Sequence, residues 1–276
     1  MVFLAAFVLS LLLTRFVRVL AVKRGFVSYP SSDRYNRSVI PLGGGLAVFG
    51  VLSVFAVGAL AAAHLGIPDI LSRAVDIPLE EYAQGLRGRT AQAAVIFCCM
   101  LVLLVTGLRD DMKDLGPWSK LAVQFAVAAA AAWPGGIRVE LFIESNLISV
   151  ILSVFWLVLV MNMFNFLDNM DGASAGIAVI VSAILMVSSV LSGQFFVSAL
   201  AVVFIGALLG FLVYNFPPAS IFSGDAGSLV TGFIIGLLSL RTTYYHQAVS
   251  GELYRVFIPL IAASVPLYDF VSVMYI

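Results

Sequence analysis

The residues of this chain that can do chemistry come in short, polar groups separated by long apolar runs. Asp110, Asp111 and Asp114 crowd into Arg109-Asp110-Asp111-Met112-Lys113-Asp114. If the preceding helix extends through this group, Asp111 and Asp114 lie one turn apart and Asp110 adjoins Asp114 at i,i+4. Carboxylates this close repel, so a divalent cation, or Arg109 and Lys113, must offset them. Hard oxygen ligands suit Mg²⁺, which takes one or two carboxylates together with substrate phosphates. A solvated loop capped with acids is an equally open reading of this segment alone. A second group, Asn162, Asn165, Asp168 and Asp171, recurs every three residues. Steps of three drift by roughly 60° on a helix, so the four cannot share a face. Asn165 and Asp168 can be neighbours, and Asp171-Gly172 begins a turn. Amides at the end of an apolar run are costly unless paired or functional. They suit a nucleobase, a sugar or a carboxylate network, and helix–helix hydrogen bonding is the plain alternative.

The third group runs from Asn215 through Pro217-Pro218 and Phe222 to Gly224-Asp225-Ala226-Gly227-Ser228. The prolines end one helix, and Gly224 and Gly227 bracket Asp225 so that backbone can approach a ligand closely. The next helix starts here, and its free N–H groups can receive phosphate oxygens while Asp225 holds a metal. As a plain alternative, Asp225 is an N-cap. In the fourth group, Arg34 and Arg37 precede Pro41 and the triplet Gly43-Gly44-Gly45. The arginines can meet a phosphate or a lipid headgroup, or serve only as a basic anchor before a closely packed helix.

The elements that must position these groups are membrane helices. Of the 276 residues, 62% are hydrophobic and only 11% charged, with mean hydropathy +1.08. A soluble domain carries about 25% charged residues. The formal net charge of zero excludes a general polyanion-binding role, nucleic acid included. About nine runs approach the ~20 residues that cross a bilayer: 2–20, 45–63, 91–108, 121–133, 147–166, 175–191, 195–215, 227–240 and 256–276. The stretch from His64 to Thr90 has room for a short interfacial helix. Lys23, Arg24, Arg34 and Arg37 place the first loop in the cytoplasm by the positive-inside rule, with the N-terminus outside. The acids singled out above then gather at the cytoplasmic ends of the spans. The expected architecture is an all-α integral membrane protein, one polytopic domain over 1–276 with an active-site cleft at the cytoplasmic face.

Taken in order, these segments resemble the polyprenyl-phosphate N-acetylhexosamine-1-phosphate transferases (glycosyltransferase family 4), relatives of the phospho-MurNAc-pentapeptide transferase. Gly25-Phe26-Val27, Pro30, Ile40-Pro41 and Gly44-Gly45 are similar to the family's first cytoplasmic loop. Gly107 to Asp114, with Trp118, Lys120 and Gln124, resembles its aspartate-rich motif. Asn162, Asn165, Asp168, Asp171 and Gly172 resemble its Asn-x-x-Asn-x-x-Asp-x-x-Asp-Gly pattern. Asn215, Pro218, Ala219, Phe222 and Gly224 to Ser228 resemble its nucleotide and metal segment, and Pro266 with Asp269 a late Pro-x-x-Asp. The chain departs from the family at Arg34, Asn36, Ser28 and Asn169. It also ends at Ile276, before the family's cytoplasmic His-x-His loop, so the resemblance implies a C-terminally truncated member.

The resemblance implies a bacterial inner-membrane enzyme that moves N-acetylhexosamine 1-phosphate, GlcNAc-1-phosphate in the first instance, from a UDP-sugar to undecaprenyl phosphate. UMP leaves, and lipid-linked synthesis of cell-wall or lipopolysaccharide glycan begins. It implies Mg²⁺, with Mn²⁺ as a substitute, on Asp225 and Asp111, and catalytic roles for Asp110 and Asp111. Substrate contacts fall to Asn165, Asp168, Asp171, Asn215, Phe222, Asp114, Arg34 and Arg37. A homodimer is compatible with it. The rival reading is an ion-coupled transporter, which would carry its carboxylates near mid-bilayer rather than at one end of the spans.

Overall fold

Apolar runs become helices in the computed structural model, and glycine or proline ends most of them. The structure describes residues 1–29, 39–68, 79–139, 145–242 and 257–275. Helix α1 (Val2–Arg24) stops at Gly25, whose left-handed φ of 66° only glycine adopts freely. A two-residue antiparallel pair, β1 (Val27–Ser28) with β2 (Ile40–Pro41), leads into α2 (Gly44–His64). The short α3 (Leu79–Gly88) follows, then α4 (Thr90–Met112), α5 (Pro117–Ala132) and α6 (Asn146–Leu167). The chain continues through α7 (Ala173–Leu191), α8 (Phe195–Asn215) and α9 (Gly224–Arg241) to α10 (Ile258–Ala262) and α11 (Ser264–Tyr275). Arg34 and Arg37 lie outside the described residues.

Among the described residues, six helices, α1, α2, α4, α6, α7 and α8, are long and apolar enough to cross a membrane. The protein is a polytopic all-α membrane protein. The other expected spans differ for identifiable reasons. Helix α5 has 16 residues and α11 has 12, and α9 carries Asp225 and Arg241 at its ends. The last apolar run is not one helix. It breaks at Ala263, three residues before Pro266, because a proline lacks the N–H that would continue the ladder. The short helix expected between His64 and Thr90 is α3. Its Tyr82 ring meets Phe195 at 5.2 Å, edge to face, and its Arg87 Nε donates to the Ala63 carbonyl at 2.6 Å.

Helix α9 is the axis of the bundle, buried without interruption from Ala226 to Ser239. Close approach of its neighbours requires residues without side chains. A Cβ on Gly232 would lie 2.6 Å from Met161 Cα, and one on Gly45 or Gly107 would overlap the backbone of Ala226 and Gly227. Helix α8 receives α1 in the same way. A Cβ on Gly206 would lie 2.8 Å from the Phe3 carbonyl, and one on Gly210 2.6 Å from the Phe7 carbonyl. The spacing is the small-xxx-small pattern by which helices pack in lipid, and Ser10 adds a hydrogen bond to the Ala207 carbonyl.

Gly206→Leu or Gly210→Leu should therefore destabilise the protein by about 1–3 kcal/mol, as overpacking does. Gly58→Leu, where nothing lies within 4 Å of the new Cβ, should be nearly neutral. Thermal unfolding in detergent, followed by size-exclusion fluorescence, measures both.

Candidate active site

One end of the bundle collects the C-termini of α4, α6 and α8 and the N-termini of α2, α5, α7 and α9, and the polar groups gather there. The N-terminus of α9 organises them. An α-helix begins with N–H groups that have no partner inside the helix. Here the Asp111 carboxylate, projecting from the last turn of α4, takes two of them: the N–H of Asp225 at 2.8 Å and that of Ala226 at 3.3 Å. Gly224, with φ of 73°, makes the turn, and a Cβ there would lie 3.0 Å from the Asp111 carboxyl carbon. The N–H groups expected to receive phosphate thus already hold a carboxylate supplied by the protein. The segment before α9 caps a second helix: Gly44 and Gly45, which open α2, donate to the Phe222 and Ser223 carbonyls at 2.9 and 3.0 Å. Phe222 N–H in turn donates to the Pro41 carbonyl at 2.9 Å.

Held this way, Asp225 meets side chains from three other helices. Lys120, in the first turn of α5, pairs with Asp225 Oδ2 and with Asp110 Oδ2, the latter at 3.0 Å. Its ammonium also donates to Asn165 Oδ1 at 3.2 Å. Asn165, near the end of α6, donates to Asp225 Oδ1 at 3.0 Å and to Ser228 Oγ at 2.8 Å. Asp110 Oδ1 accepts the Leu115 N–H at 2.6 Å, which fastens the turn between α4 and α5. Two carboxylates, one ammonium and one amide make a half-buried network, with Lys120 and Asp110 side chains only 15% and 10% exposed. One turn further into the bundle Asn162 donates to Gln124 Oε1 at 2.7 Å, so α5 and α6 are joined twice.

Asp114 is not a turn away from Asp111 on a helix. Helix α4 ends at Met112, Lys113 is extended, and Asp114 is exposed. The reason is the short link to Pro117, which starts α5. Asp168 caps the C-terminus of α6, and Asp171 Oδ2 accepts the Ala219 N–H at 2.9 Å. Asn215 is 4% exposed. Its Oδ1 accepts the Gly172 N–H at 3.1 Å and its Nδ2 donates to the Ile221 carbonyl at 3.0 Å, so the amide expected to hold a substrate holds backbone instead. The Phe222 side chain is half-buried. Lys120 and Ser228 lie in the motifs that carry the family resemblance but are not among the catalytic, metal or substrate residues expected from it. The signal for Lys120 was a single cation opening an alanine-rich apolar helix, a position that demands a partner.

The comparison with known families turns on the same stretch of chain. The model of glycosyl transferase family 4 matches residues 93–243, more than half of the 276. The chain belongs to glycosyl transferase family 4. Its relatives include a probable undecaprenyl-phosphate N-acetylglucosaminyl 1-phosphate transferase of Bacillus subtilis, 31% identical over 276 residues, covering 96% of this chain and 68% of that protein. A decaprenyl-phosphate N-acetylglucosaminephosphotransferase of Mycolicibacterium smegmatis is 30% identical over 255 residues, 86% of this chain and 58% of its own. A phospho-N-acetylmuramoyl-pentapeptide-transferase of Streptococcus thermophilus is 29% identical over 175 residues, 58% of this chain and 51% of its own. The chain therefore spans between half and two thirds, or slightly more, of these family members. The matched stretch holds the whole network of Asp110, Asp111, Lys120, Asn165 and Asp225.

Lys120→Met should destabilise this family member, on the order of 3 kcal/mol, because it strands two carboxylates in a partly buried site. Adding Asp225→Asn should restore part of the loss. A double-mutant cycle of thermal unfolding in detergent checks this, and strict additivity would contradict the pairing.

Proposed function

We propose that this protein transfers N-acetylhexosamine 1-phosphate, GlcNAc-1-phosphate in the first instance, from its UDP-sugar to undecaprenyl phosphate. The observation that carries the reading is the convergence of Asp110 and Asp225 on Lys120 at one end of a membrane bundle. It stands beside the activities for which the Bacillus and mycobacterial relatives are named. In the reaction, an oxygen of the lipid phosphate attacks the phosphorus that bears the sugar. A new P–O–P link forms, the bond to the bridging oxygen breaks, and UMP leaves with that oxygen. A phosphate monoester is largely ionised near neutral pH, its second pKa being about 6 in phosphorylated side chains, so no strong base is needed.

The donor set suits a divalent cation. Hard oxygens from two helices already converge on one positive centre, and Mg²⁺, with Mn²⁺ as a substitute, would be held by Asp225 with Asp110 and Asp111 beside it. When bound, such an ion neutralises diphosphate charge and eases departure of UMP. Lys120 brings an ammonium to the same place and can donate to a phosphate oxygen. Asn165 holds the Asp225 carboxylate in position. Asp111 keeps α9 docked, and Asp110 anchors both Lys120 and the α4–α5 turn. Asp168 and Phe222 offer an acceptor and an aromatic face to the nucleotide, while Asp171 and Asn215 hold the loops that carry them. By their charge, Arg34 and Arg37, together with the exposed Asp114, are suited to the diphosphate and the lipid headgroup. The cytoplasmic face is the side assigned to this end by Arg15, Arg18, Lys23, Arg24, Arg109 and Lys113. The transporter alternative has no observation in its favour, since the described network sits at the helix ends.

Asp225→Asn should abolish Mg²⁺-dependent exchange of labelled UMP into UDP-GlcNAc in membranes supplied with undecaprenyl phosphate. Exchange at the wild-type rate would overturn the metal assignment. Asn165→Ala should slow exchange by at least ten-fold while leaving the protein folded.

A further inference from the structure

Helix α1 carries a feature that the transfer reaction does not use. It packs inward through Ala6, Ser10, Thr14 and Ala21, all buried. Arg15, Arg18, Val19, Val22 and Lys23 lie on the opposite face and line a shallow, open cleft of about 440 Å³, walled mostly by their apolar atoms. Val19 and Val22 are 49% and 59% exposed. None of the three cations has an ion pair among the described residues.

Position makes this face unusual. Arg15 and Arg18 lie within a helix long and apolar enough to cross a membrane, exposed on the face turned away from the bundle. Exposed guanidinium groups within such a helix are costly unless they reach anionic oxygens.

We propose that this face of α1 is a binding site for an anionic phospholipid. Arg15, Arg18 and Lys23 take the headgroup phosphate, and Val19 and Val22 support the start of an acyl chain. Arginine is suited to this because its planar fork binds phosphate oxygens in pairs. The chemistry would also accept the phosphate of a polyprenyl carrier. A phospholipid is favoured because the cleft faces away from α2 and α8, and so away from the network around Asp225.

The test uses the purified protein in detergent, with added phosphatidylglycerol, phosphatidylcholine or undecaprenyl phosphate, read by native mass spectrometry and thermal unfolding. Phosphatidylglycerol should be retained in preference to phosphatidylcholine and should raise the unfolding temperature. Each cation contributes roughly five-fold to binding, so Arg18→Gln should weaken retention about five-fold. The triple variant Arg15→Gln, Arg18→Gln, Lys23→Gln should weaken it about a hundred-fold, with UMP exchange in phosphatidylcholine unchanged. Should the triple variant fail to fold, the single variant carries the test. Equal retention of the two phospholipids, or retention unaffected by Arg18→Gln, would overturn the proposal. Displacement of phosphatidylglycerol from this cleft by equimolar undecaprenyl phosphate would overturn it in favour of the carrier lipid.

Discussion

Everything at the polar end of this bundle depends on one carboxylate placed on one helix terminus. Asp111 belongs to α4, yet its oxygens satisfy the first N–H groups of α9. A helix start buried among other helices must find acceptors, and in a membrane water cannot supply them cheaply. The electrostatic match is favourable too, because the N-terminus of a helix carries partial positive charge. Docking α9 in this way aims Asp225 at α5 and α6. It also lets the Phe222 and Ser223 carbonyls receive the first N–H groups of α2. Two helix starts are thus completed by one short segment, with no side chain spent except Asp111.

Charge balance is the second constraint. Asp110 and Asp225 could not both stay ionised in a half-buried site without a cation, and Lys120 provides it from a third helix. Asn165 then uses both ends of its amide, accepting from Lys120 and donating to Asp225 and Ser228. The result is a set of hard oxygen donors around one positive centre.

Glycine gives the packing its tolerance. Gly45, Gly107 and Gly232 bring α2, α4 and α6 against the α9 backbone, and Gly206 with Gly210 does the same for α1 on α8. In lipid there is no strong hydrophobic drive between helices, so close backbone contact and hydrogen bonds do more of the work. The glycine triplet before α2, which reads as the entrance of a closely packed helix, is where α2 meets the α9 backbone.

The sequence by itself determined the helical membrane architecture, because long apolar runs have no other stable form in lipid. It determined most helix boundaries to within a few residues, since Gly25, Pro117 and Gly172 act locally. The three-residue spacing was enough to foresee the turn at Asp171-Gly172, where Gly172 adopts a φ of 71°. Only the tertiary structure decided partnerships. That Asp111 caps α9, that Lys120 reaches Asp225, and that Asn215 binds the Gly172 backbone all depend on contacts between residues 43 to 115 positions apart. The physical reason is that a carboxylate or amide has the same chemistry whether it meets a substrate, a lysine or a helix terminus. Spacing along the chain names the group, and packing alone selects its partner.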